Sequence, residues 1–96
     1  MMSTAQPRRR NDVCAEPLPD GSMVLFDPRT EMVYPVTASA ARVWEACDGR
    51  HTAAAIVAEL SAVYDAPPDV IARDVKALLQ HLSEIGLLEP GIEARA

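Results

Sequence analysis

The stretch that decides the fold is residues 24–49, VLFDPRTEMVYPVTASAARVWEACDG, because its apolar period changes at Thr37 from the two of a strand to the 3.6 of a helix. Asp27-Pro28-Arg29-Thr30 reads as a turn, since Pro28 pre-sets the φ that a type I turn requires at its second position. On either side lie residues 22–26 and 31–36, runs rich in side chains that suit a pleated surface. In the second run Met32, Tyr34 and Val36 share one face, and Glu31, Val33 and Pro35 the other. Pro35 has no N–H for a ladder hydrogen bond, so this strand is expected to face an open edge or the end of the ladder. Past it, Thr37 or Ser39 can cap a helix with the apolar stripe Ala40, Val43, Trp44 and Cys47, ended by Asp48-Gly49.

The same reading extends both ways along the chain. Thr52 caps a second helix that carries Ile56, Val57, Leu60, Val63 and Tyr64 on one face. A third begins near Pro68 and Asp69, with proline tolerated in the first turn and the acid favourable at the positive helix end. Ile71, Val75, Leu78, Leu79, Leu82 and Ile85 form its stripe, Gly86 stops it, and Leu87 and Leu88 are expected to fold back on the core. Toward the N-terminus, Asp20-Gly21 is a turn signal, and residues 13–18 can form a first strand that Pro17 and Pro19 confine to an edge. Residues 1–11 are polar, basic and non-periodic and read as a flexible tail, residues 90–96 as a short C-terminal tail, leaving a domain over 12–89. Three short strands followed by three helices make an α+β domain.

Composition narrows the function. Ninety-six residues supply one modest core and no room for a deep cofactor cleft. Nine basic residues against fourteen acidic ones give a net charge of −5, a field that repels nucleic-acid phosphates. Three of those cations are the run Arg8, Arg9 and Arg10, which reads as a solvated, mobile terminus. No apolar run reaches the length of a membrane span and no secretory h-region is present, so a cytoplasmic protein without a membrane partner is expected.

A search for chemistry returns little. Cys14 and Cys47 stand far apart with no partner at metal-ligand spacing, and Cys47 falls on an apolar helix face where a thiol acts as a small hydrophobe. His51 lies in a turn and His81 off the main stripe, neither with a patterned partner. The serines have no nucleophile elbow, and the glycines form no phosphate-cradling loop. Trp44 points inward as a core anchor. The reading is of a protein that is not an enzyme and needs no cofactor or metal.

In order, Val24 to Pro28, Tyr34-Pro35-Val36-Thr37, Ala40-Ala41-Arg42-Val43-Trp44, Asp48-Gly49, Thr52 with Ile56 to Tyr64, Asp74-Val75, and Leu82 to Leu88 with Gly86 form a pattern that resembles the PqqD-like superfamily. These are the small leader-peptide-binding domains, or recognition elements, of pathways that modify ribosomally made peptides, pyrroloquinoline quinone (PQQ) biosynthesis among them. Thr37 stands where the family usually has Asn, and both residues can cap a helix. The resemblance implies a winged-helix-like packing of the three antiparallel strands on the three-helix bundle. It implies a peptide-binding chaperone that takes a precursor's leader as an extra strand and hands it to a modifying enzyme such as a radical-SAM protein. On that basis Met32, Val33 and Tyr34 would present the strand edge. Arg73, Lys76, Ala77 and Gln80 would form the opposite wall, with Arg73 and Lys76 suited to acidic leader residues; an ordinary solvated helix face is the alternative for those two cations. Two rival classes stand beside this one: a winged-helix DNA-binding module reading with the third helix, and a protein adaptor with no peptide ligand. Both a monomer and a strand-exchanged dimer are compatible with the pattern.

Overall fold

A computed structural model describes residues 6–89. Strand β2 (Met23–Asp27) buries Met23, Leu25 and Asp27 and leaves Val24 and Phe26 half-buried, the alternation of a sheet with one face on a core. It is flanked on one side by β1 (Cys14–Pro17) and on the other by β3 (Met32–Val36), both antiparallel, in the order β1-β2-β3. Register pairs Cys14 with Phe26 and Pro17 with Met23, then Leu25 with Tyr34 and Val24 with Pro35. Pro17 thus sits on an edge strand, as its missing donor requires. The strands differ from the sequence reading by one residue at several ends, β2 running over 23–27 in place of 22–26, and two of these differences are informative. Val13 precedes β1 and is buried while all of β1 is exposed, so the residue that anchors the strand lies outside it. Glu31 stays in the turn, with φ of 60°, and its N–H donates to Asp27 O at 2.7 Å; β3 starts one residue later.

Three helices follow: α1 (Ala38–Ala46), α2 (Ala53–Val63) and α3 (Pro68–Glu84). Thr37 and Thr52 cap the first two, each hydroxyl accepting from the backbone N–H three residues on, at 3.2 and 3.1 Å. Helix α3 ends in a Schellman motif. Leu87 N–H donates to Leu82 O and Gly86 N–H to Ser83 O, with Gly86 at φ of 81° and Leu82 and Leu87 both buried. That reversal returns Leu87 and Leu88 to the core, as expected. The core joins Leu25 and Met23 of the sheet to Val43, Trp44 and Cys47 of α1, Ile56 and Leu60 of α2, and Ile71, Val75 and Leu82 of α3. The buried face of α1 runs through Ala41, and Ala40 is only half-buried. On α2, Val63 turns outward and is 55% exposed, because the face that meets the core is centred on Ile56 and Leu60.

The N-terminal arginines overturn the expectation of a solvated tail. Residues 8–10 lie between the end of α1 and residues 87–89, with Arg9 N–H on Cys47 O, Arg10 N–H on Leu87 O and Glu89 N–H on Arg8 O. Arg10 is 5% exposed. Its guanidinium spends every N–H: Nε and Nη2 on Asp12, Nη1 and Nη2 on Asp27 at 3.0 and 2.9 Å, and Nη1 on Gly86 O at 2.8 Å. Asp27, 1% exposed, is held below its ordinary carboxylate pKa by Arg10. A run of arginines was read by its charge, whereas the third has two carboxylates and a carbonyl waiting for it. The remainder of the expected tails, residues 1–5 and 90–96, lies outside the described residues.

Candidate functional site

Among the described residues strand β3 has a neighbour on one side only, so the backbone groups that point away from β2 form an open edge. Backbone orientation alternates along an antiparallel strand, which makes Val33 and Pro35 alike and sets them against Met32, Tyr34 and Val36. Pro35 is tolerated where its nitrogen faces away from β2, and this parity turns the N–H and C=O of Val33 to the open edge. The side chains there are apolar and wet: Met32 is 51% and Val33 56% exposed. Tyr34 is half-buried and packs against the core. Natural proteins blunt such edges with charge or cover, and this one carries neither on β3 itself.

Where β3 runs into α1, a groove of about 430 Å³ opens among the three helices. Thr37, Ser39, Ala40 and Val43 supply its floor at the start of α1, and Leu60 and Tyr64 come from α2. Helix α3 contributes the row Val70, Asp74 and Leu78, backed by Ile71 and Val75. Two of its lining residues, Ala40 and Ala66, are small. The half-buried Ala40 that departed from the expected core face is therefore part of this groove.

Of the seven residues singled out from the sequence, Met32, Val33 and Tyr34 come together on the open strand. Arg73, Lys76, Ala77 and Gln80 are all exposed and make a row of their own on α3, and none of them lines the groove. At about 100° per residue Arg73, Lys76 and Gln80 are turned well away from the middle of the groove, while Ala77, three residues from Asp74, lies at its margin. Gln80 instead reaches Glu84 on its own helix at 3.5 Å. The sequence reading named Asp74 only as part of the pattern that carries the resemblance and gave it no role at the site. The signal that singles it out is local: positions three and four residues away on either side are Val70, Ile71, Ala77 and Leu78, with no cation among them.

A second hollow, of about 540 Å³, lies between α1 and α2. Here His51 is clamped, Nδ1 at 2.9 Å from Asp48 and Nε2 at 2.8 Å from Glu59. An acceptor on each side favours the ring with both nitrogens protonated. The hydrogen bond to Asp48 raises the imidazole pKa above 6.5 and draws Asp48 down to about 2. The contribution of His51 to stability is therefore complete below pH 6.5 and is lost as pH rises through the elevated folded-state value. Urea midpoints of the wild type should decline over that rise relative to His51→Gln, whose profile flattens; parallel profiles would contradict the clamp. Among the described residues no cluster of three or more His, Cys, Asp or Glu is placed to hold a metal ion, and no helix is long and apolar enough to cross a membrane.

An edge strand beside a helical groove on a three-strand, three-helix scaffold can be compared with known proteins. Residues 22–88 match the family model described as coenzyme PQQ synthesis protein D (PqqD), which spans most of the chain. The chain belongs to the PqqD family. Among solved structures, this PqqD-family chain is similar to a lasso peptide synthetase B1 complexed with the leader peptide, at 26% identity and TM-score 0.77, over 88% of this chain and 99% of that one. It is also similar to the PqqD truncation of Methylobacterium extorquens PqqCD, a functional and stand-alone recognition element for ribosomally synthesised and post-translationally modified peptides. That match has 27% identity and TM-score 0.71 over 94% of both chains. TbiB1 in complex with the TbiA(beta) leader peptide shares the fold at TM-score 0.78 and 22% identity, over 88% of this chain and 98% of that one. No curated protein sequence matches the chain. The winged-helix-like α+β arrangement expected from the resemblance is the one this PqqD-family chain adopts.

Proposed function

We propose that this PqqD-family domain binds the leader of a ribosomally made precursor peptide as a fourth strand on β3 and presents it to a separate modifying enzyme, in which the catalysis resides. The observation that carries this reading is the open, apolar edge of β3 running into the groove beside α3. Two similar proteins hold leader peptides, and a third is a stand-alone recognition element, which supports the same assignment here.

The energetics divide the work between edge and groove. About three new strand hydrogen bonds, at a net ~1 kcal/mol each, fall well short of the roughly 8 kcal/mol of a micromolar complex. Apolar burial against Met32, Val33 and the groove walls has to supply the rest, at up to about 2 kcal/mol per well-buried leader side chain. Backbone pairing therefore fixes register, and the groove selects sequence.

The DNA-binding alternative has less to stand on. Arg73 and Lys76 are the exposed cations of α3, with Asp69, Asp74 and Glu84 on the same helix, on a chain of net charge −5. The test is fluorescence anisotropy with labelled leader segments of precursor peptides encoded beside the gene, and with duplex DNA, at two salt concentrations. Saturable leader binding that changes little with salt is expected. DNA binding that falls steeply with salt, with no leader binding, would overturn the proposal.

A further inference from the structure

Resting on the reading that an extended peptide lies along β3 and the groove, the structure also says something about which peptide. Among the described residues Asp74 is the only charged one that lines the groove, and it has no hydrogen-bond or ion-pair partner there. A cation one turn away would stabilise an acid on an exposed helix face, and here both turns offer only Val70, Ile71, Ala77 and Leu78. Its carboxylate stands in an apolar row, Val70, Asp74, Leu78, that faces the hollow.

The spacing of this row suits a strand. Residues four apart on a helix advance about 6 Å along its axis. Same-face residues of an extended peptide, two apart, advance roughly 6.6 Å. Three successive same-face side chains of a bound strand can therefore meet Val70, Asp74 and Leu78 in turn. Bound peptide would also screen Asp74 from water, which strengthens a complementary charge and makes a like charge costly.

We propose that Asp74 is a specificity-determining residue that selects peptides with Lys or Arg at the centre of an apolar-x-cation-x-apolar segment. The cation seats on Asp74, and the flanking apolar side chains seat on Val70 and Leu78. Arg73 and Lys76, which face away from the groove, do not set this preference.

A displayed library of extended decapeptides tests this, with Leu fixed at two positions four apart and the position midway between them randomised. It is selected against the wild-type domain and against Asp74→Lys and Asp74→Asn, each verified as folded by circular dichroism. The wild type should enrich Lys and Arg over Glu at the central position roughly fivefold or more; Asp74→Lys should reverse the preference, and Asp74→Asn should abolish it. Amide shifts of one recovered peptide on the labelled domain locate the binding. Peptides that bind at residues 32–36 with the same central preference in all three proteins would overturn the assignment of Asp74 while leaving strand addition standing. Recovery of no binders, or binders that map away from β3, would overturn both.

Discussion

Arg10→Met is expected to lower the thermal unfolding midpoint by on the order of 15 °C. The reason is what the substitution leaves behind. Asp27 is buried at the end of β2, and its two oxygens accept from Arg10 and from the backbone N–H of Arg29. Without the guanidinium its charge has no counter-ion inside the protein, and the carbonyl of Gly86 loses a donor as well. The Arg10→Met/Asp27→Asn double variant should recover a good part of the loss, since a neutral pair removes the stranded charge and the Asn oxygen can still accept from Arg29. The pH dependence has a definite sign. Arg10 depresses the pKa of Asp27, so this stabilisation is present above the ordinary value of 3.8 and disappears as pH falls through the lower folded-state value. Acid titration of stability should therefore be shallower in the double variant. A midpoint within a degree or two of wild type for Arg10→Met would mean that the N-terminal segment does not dock on the domain in solution.

Val33→Pro is expected to weaken leader binding roughly tenfold or more while leaving the unfolding midpoint close to that of the wild type. Val33 shares its backbone orientation with Pro35, so proline there removes a donor from the open edge without touching the ladder to β2. Its side chain is largely exposed, which keeps the core out of the comparison. Val33→Ala supplies the control, because it keeps the N–H and removes only apolar contact; it should cost severalfold less than proline. Equal losses for both would assign the effect to the side chain and remove the evidence for strand pairing.

How much of this was legible in the sequence depends on the range over which each signal acts. Thr37, Thr52, Pro68 and Gly86 act within a few residues of themselves, and each sits where capping and termination rules put it. The change of period at Thr37 separated strand from helix correctly for the same reason. The edge position of β3 was also readable, because Pro35 constrains its own hydrogen bonding whatever the rest of the chain does. Arg10 was not readable: its partners are Asp12, Asp27 and Gly86, and the last two meet it only after the sheet and α3 have packed. A charge run scored by composition carries no record of such closure. The groove failed in a subtler way. The stripe of α3 was identified, but which flank faces the hollow depends on the angle at which α3 lies across α1 and α2. That packing favours the flank through Asp74 over the one through Arg73 and Gln80. Only the apolar surroundings of Asp74, one turn either way, carried a local trace of its position.

Backbone amide shifts of the isotope-labelled domain, followed during titration with leader segments of neighbouring precursors, test strand addition most directly. The account predicts saturable shifts concentrated on residues 32–36 and on the groove side of α3, around Val70, Asp74 and Leu78, with the amide of Val33 gaining protection from exchange. Shifts confined to the α1–α2 face around His51, or to the outer row of Arg73, Lys76 and Gln80, would contradict it.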